Sequence, residues 1–128
     1  MKKIFIVLLL AFTVLSVVKT SHSAEKLTKS SNDMKAVLTF DADTSLIDVY
    51  LSDAKTAQAI KDAQLKALVK TPSGKRITVE LPGMMMGQTW SYMNNVEMTE
   101  AGKYSISLTA HRKGGKKAKF KFTVKVNR

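Results

Sequence analysis

No cysteine occurs among the 128 residues. That excludes disulfides, thiolate nucleophiles, thiolate zinc sites and a lipidated-cysteine anchor. Histidine is nearly as scarce: His22 falls in the first 23 residues, and His111 alone follows. Imidazole catalysis and clustered-histidine metal sites therefore have almost no material. There are 2 prolines and 6 glycines, with no glycine-rich phosphate cradle, internal repeat or low-complexity stretch. Acidic residues number 10 against 21 lysines and arginines, for a net charge of +11. Asp41, Asp43 and Asp48 lack the glycine and closing glutamate of a calcium loop and read as a solvated turn. These absences predict a protein that is not an enzyme.

The first segment has the three parts of a secretory signal peptide. Lys2 and Lys3 precede an apolar run over 4–18, interrupted by Thr13 and Ser16, and small polar residues follow. Ser21 and Ser23 suit the −3 and −1 positions, so cleavage is expected before Ala24. A helix over 4–18 spans only about 22 Å, against a hydrocarbon core of roughly 30 Å. It is too short for an anchor, so contact with a membrane is expected only before cleavage. The predicted destination is the periplasm, or secretion. Lys2, Lys3 and Lys19 leave with the leader, which lowers the charge to +8. The remaining 105 residues suffice for one domain, and without disulfides its stability must come from a full apolar core.

Residues 24–33 are polar and aperiodic and are expected to form a flexible arm ahead of a domain over 34–128. Period-two runs then recur between turn signals, over 36–40, 46–51, 64–70 and 76–81. The stretch 54–63 is expected to be a loop. Residues 103–111 put Tyr104, Ile106, Leu108 and Ala110 on one face. Residues 119–126 do the same with Phe120, Phe122, Val124 and Val126. Gly114-Gly115 between them marks a β-hairpin. Glu100-Ala101-Gly102-Lys103-Tyr104 suits a tyrosine corner, in which the hydroxyl bonds backbone. The expected fold is all-β, an immunoglobulin-like antiparallel β-sandwich of about seven strands.

Several segments follow one another in an order that resembles the YtkA-like, and more distantly FixH-like, domains of small exported bacterial proteins. They are Asp53-Ala54-Lys55-Thr56, Ile60 to Leu65, Thr71-Pro72-Ser73-Gly74-Lys75, Gly102-Lys103-Tyr104 and Phe120-Lys121-Phe122-Thr123-Val124. The resemblance covers about residues 34–126. It implies a sandwich fold and a periplasmic accessory role near heavy-metal or copper handling.

Two clusters stand out from the strand pattern. Met84, Met85, Met86, Met93 and Met98 fall within 15 residues, with Trp90 among them. Thioether sulfur is soft and uncharged and suits Cu(I) or Ag(I), while an indole face attracts cations. The alternative, and the commoner role of methionine, is packing: a loop from Pro82-Gly83 to Gly87 over one end of the sandwich would need such filling. An extended Met84-Met85-Met86 cannot point all three side chains one way. The second cluster is basic: Arg112, Lys113, Lys116 and Lys117 at the hairpin tip, with Lys119, Lys121 and Lys125 along its outer face. It forms an anion-attracting surface or, as the more ordinary reading, keeps the edge soluble. No exposed aromatics interleave with it, so nucleic acid is not an expected partner.

The leading expectation is a non-catalytic accessory or binding protein linked to copper or silver handling. Its expected partner is a periplasmic or envelope protein, with no cofactor beyond that metal. The alternative is a structural or protein–protein interaction module of the envelope that binds no metal.

Overall fold

Alternating apolar and polar residues put one face of each strand in the core and the other in water, and two such sheets bury their apolar faces against each other. A computed structural model describes residues 25–127. The expected signal peptide lies outside them. Nine strands run in order: β1 (Glu25–Ser31), β2 (Met34–Asp41), β3 (Leu46–Asp53), β4 (Ala63–Lys70), β5 (Arg76–Glu80), β6 (Gly83–Met86), β7 (Thr89–Asn95), β8 (Gly102–Arg112) and β9 (Lys117–Val126). One sheet has the order β1-β2-β3-β7-β6 and the other β5-β4-β8-β9. All pairings are antiparallel, and the described residues contain no helix. The expected all-β sandwich is what the chain forms.

Three segments lie outside the six strand runs read in the sequence and bring the number from about seven to nine: β7 over Thr89–Asn95, where no strand was expected, and the two that follow. Residues 25–31 form β1 rather than a flexible arm, pairing with β2 from Glu25↔Phe40 to Ser31↔Met34. Leu27 is the only large apolar residue in that strand and the rest is largely solvated. Such a strand has no amphipathic period, because backbone bonds to β2 hold it. Residues 83–86 form β6, the edge of the five-stranded sheet, rather than a loop over the end of the sandwich.

The β8–β9 hairpin is as expected. Tyr104, Ile106, Leu108 and Ala110 are buried, facing Phe120, Phe122 and Val124 of β9. Gly114 and Gly115 take φ of +98° and +97°, where a side chain would be strained. The tyrosine corner is present: the Tyr104 hydroxyl donates to Glu100 C=O (2.8 Å) and accepts from Glu100 N–H (3.0 Å).

A second buried tyrosine performs a similar task in the other sheet. Tyr92 donates to Ile60 C=O (2.7 Å) and accepts from Ala63 N–H (3.3 Å), pinning the end of the 54–62 loop. Burial, ahead of the Ala63 hydrogen bond that opposes it, pushes the Tyr92 phenol above its ordinary value. Ile60 is buried in the core, and Ala59 makes an isolated bridge to Ser52. The loop thus continues the sheet beside β3 where β7 diverges.

Candidate functional site

In a strand, residues two apart share a face and cross-strand partners lie on the same side. Met84 and Met86 therefore share one face of β6, opposite Ser91 and Thr89 of β7. Met93, two beyond Ser91, lies on that face too, opposite Asp48 of β3. Met85 lies on the other face, opposite Trp90. The consecutive methionines are thus divided two and one, as an extended segment requires.

Their exposure separates them from core methionine. Met84, Met85 and Met86 are 40%, 50% and 49% exposed, and Met93 is half-buried. The loop-filling role does not hold for the first three, because the segment is an edge strand whose side chains face water. Met98 is different. It is 0% exposed within the core, so the structure does not bring it to the same surface.

Trp90 is half-buried and packs against the core, with its ring edge-on to Tyr92 at 6.4 Å between centroids. Its indole lies over Gly83, which has no side chain to obstruct it. The Nε1–H is buried and has no hydrogen-bond acceptor among the described residues. Tryptophan therefore serves mainly to seat β6 on β7, with its ring over Gly83.

A groove of about 580 Å³ opens beside this strand pair where β3 and β7 separate beyond Val49↔Tyr92. Asp48, Tyr50, Thr39, Trp90 and Ser91 line it, with Lys26 and Lys61. Burial pushes the Asp48 carboxyl above the ordinary aspartate value, and a hydrogen bond from the Ser91 side chain partly offsets the rise. Sequence reading missed Asp48 as a neighbour of the methionines, because only the β3–β7 register places it opposite Met93.

The donors available here are thioethers and one carboxylate. Among the described residues no three His, Cys, Asp or Glu side chains gather as a metal site. Such a set fits a soft monovalent ion and not zinc or calcium. Asp41 and Asp43 belong elsewhere: Asp41 Oδ1 accepts from Asp43 N–H at 3.0 Å, closing the β2–β3 turn.

The basic cluster is divided as well. Arg112 is tied to Asp62 (3.2 Å) and Lys116 approaches Asp33 (4.0 Å). Lys113 lies in the turn, whose backbone is closed by Arg112 N–H to Lys116 C=O at 2.8 Å. Lys117, Lys119, Lys121 and Lys125 lie on the outward face of β9, exposed.

Neither a protein-family model nor a curated protein matches the sequence. The fold recurs among solved structures. A copper-bound variant of FetP from uropathogenic Escherichia coli strain F11 superposes with a TM-score of 0.66 at 9% identity, over 80% of this chain and 95% of that one. Copper-reconstituted P19 from Campylobacter jejuni gives 0.66 at 11% identity, over 80% and 94%. A DUF4426 family protein from Pseudomonas aeruginosa PAO1 gives 0.66 at 12% identity, over 79% and 94%. At such identities the likeness is one of fold.

Proposed function

We propose that this chain is an exported, periplasmic, YtkA-like accessory protein that binds Cu(I) or Ag(I) without catalysing a reaction, and that it serves a larger envelope partner. The observation that carries the reading is the exposure of Met84, Met85 and Met86 on an edge strand. Leaving three apolar thioethers in water sacrifices burial worth about 25 cal/mol per Å², and core packing does not account for it. Met84 and Met93 share a face two strand positions apart and are the proposed ligands, with Asp48 beside Met93 as an oxygen donor and countercharge. Met86 lies on the same face but four positions, about 13 Å, from Met93. Fold neighbours solved with copper support the same reading. Met98, enclosed in the core, has no part in it.

The test is titration with Ag(I) followed by calorimetry and by Trp90 fluorescence, with Zn(II) as the comparison ion. The control replaces Met84, Met85 and Met86 with leucine, which conserves most of the volume and removes the sulfur. Silver binding that is lost in the control, with no zinc binding, supports the proposal. Equal responses of parent and control would sink it. The second reading would then take its place: a protein-interaction edge, favoured by the lone outer side of β6 at the margin of its sheet.

A further inference from the structure

The outward face of the β5-β4-β8-β9 sheet is the most one-sided surface among the described residues. Each strand presents cations there: Arg76 on β5, Lys66 and Lys70 on β4, Lys103 on β8, and Lys117, Lys119, Lys121 and Lys125 on β9. Glu80 is the only carboxylate on that face among the described residues. None of these eight cations forms an ion pair within 4.0 Å with another described residue. The charge is thus a property of a whole sheet face, of which the hairpin tip is only a neighbour.

Register makes the arrangement costly. Lys70 stands directly opposite Arg76, and Lys103 directly opposite Lys125. Like charges opposed across an antiparallel pair destabilise it. Solubility alone does not require that placement, since the same lysines offset by two residues along the strand would stay on the outward face and serve equally. An anionic surface lying against the face would relieve the repulsion.

The centre of the face differs from its margins. Ser107 and Thr109 of β8 offer short hydroxyls, and Leu68 beside them is 40% exposed. Lys66 stands on one side of β8, and Lys119 and Lys121 on the other, so cations flank the hydroxyls across about 10 Å of sheet. These side chains bound a shallow groove of about 720 Å³. The hydroxyls can donate to phosphate oxygens, the lysines neutralise them, and Leu68 meets apolar substance.

We infer that this face docks on a bilayer rich in anionic phospholipid, with a phosphate headgroup seated between Lys66 and Lys119–Lys121. Cations spread over four strands match a plane of charge better than a single polyanionic strand. Among the described residues the face carries no Phe, Tyr or Trp on which nucleic-acid bases could stack, and His111 is its single imidazole. Docking leaves the methionine-bearing strand, in the opposite sheet, facing away from the membrane.

The experiment is co-sedimentation of the purified chain with phosphatidylcholine vesicles, with and without phosphatidylglycerol, at low salt and at about 0.15 M, where the Debye length is about 8 Å. Binding is expected only with phosphatidylglycerol and should weaken with salt. Replacing Lys66, Lys119 and Lys121 with glutamine should weaken partitioning roughly a hundredfold, at about fivefold per lysine. Lys113→Gln with Lys116→Gln, at the hairpin tip, should change it far less. All these lysines are exposed, and circular dichroism checks that the variants fold; the salt dependence of the parent stands without them. Equal binding to both vesicle types overturns the inference. So does a triple variant that binds like the parent, or heparin binding in the absence of vesicle binding.

Discussion

Trp90 occupies the space that a side chain on Gly83 would need. A Cβ built on Gly83 would stand 2.6 Å from the indole Nε1 and 2.8 Å from Cε2 and Cζ2. The two residues lie on neighbouring strands, with Gly83 opposite Tyr92 and Met85 opposite Trp90. The ring thus crosses diagonally over the start of β6 and holds the methionine strand to its sheet.

Gly83→Ala should therefore displace the indole, at a cost of about 1–3 kcal/mol for an overfilled contact. A shifted Trp90 emission maximum and a lowered denaturation midpoint are the expected readings. An unchanged spectrum would mean that the ring does not depend on the glycine. The same variant should weaken Ag(I) binding, because β6 carries Met84, one of the two proposed ligands.

Tyr104→Phe and Tyr92→Phe each remove one hydroxyl that bonds two backbone groups. Each should cost about 1–3 kcal/mol, since the N–H and C=O left behind are wholly or partly buried. Denaturant melts measure both. Proteolysis distinguishes them: Tyr92→Phe should expose the 54–62 loop to cutting, whereas Tyr104→Phe should loosen the 96–101 connection.

Two aspartates should respond to pH with opposite sign. The raised carboxyl of Asp48 resists ionisation in the folded chain, so it disfavours folding at neutral pH and ceases to do so as pH falls through its folded value. Asp48→Asn should melt at the same temperature as the parent or higher at pH 7, with the difference gone well below the ordinary value of 3.8. Backbone N–H groups of Thr56 and Lys55 hold Asp53 below that value. Its contribution is present above 3.8 and lost as pH falls through the lowered value, so Asp53→Asn should melt lower at pH 7 and match the parent in acid. Thermal melts across this range check both directions.

Silver affinity should hardly change between about pH 6 and 8, because thioethers carry no proton there, unlike imidazole ligands. Met93→Leu should weaken binding, while Met98→Leu, deep in the core, should leave it as in the parent. A Met98 variant that loses silver while remaining folded would contradict the division of the methionines made here.

Long amphipathic strands were legible from residue order, because a period of two with one apolar face has few alternatives. That covers β2 to β5, β8 and β9, the Gly114-Gly115 turn and the tyrosine corner at Tyr104. The absence of cysteine and the near absence of histidine likewise restricted the chemistry to soft or anionic ligands before any fold was known. Edge strands were not legible in this way. β1 and β6 bury little, so their sequences carry no alternation, and only pairing with β2 and β7 reveals them. Which methionines meet water was also a tertiary matter: Met86 and Met98 are the same residue type in the same cluster, yet one lies on a sheet edge and the other in the core. Asp48 reached Met93, and Lys66 and Lys121 came to flank the same strand, through register alone. Residue order determines what each strand can bury, whereas the pairing of distant strands decides which side chains share a face.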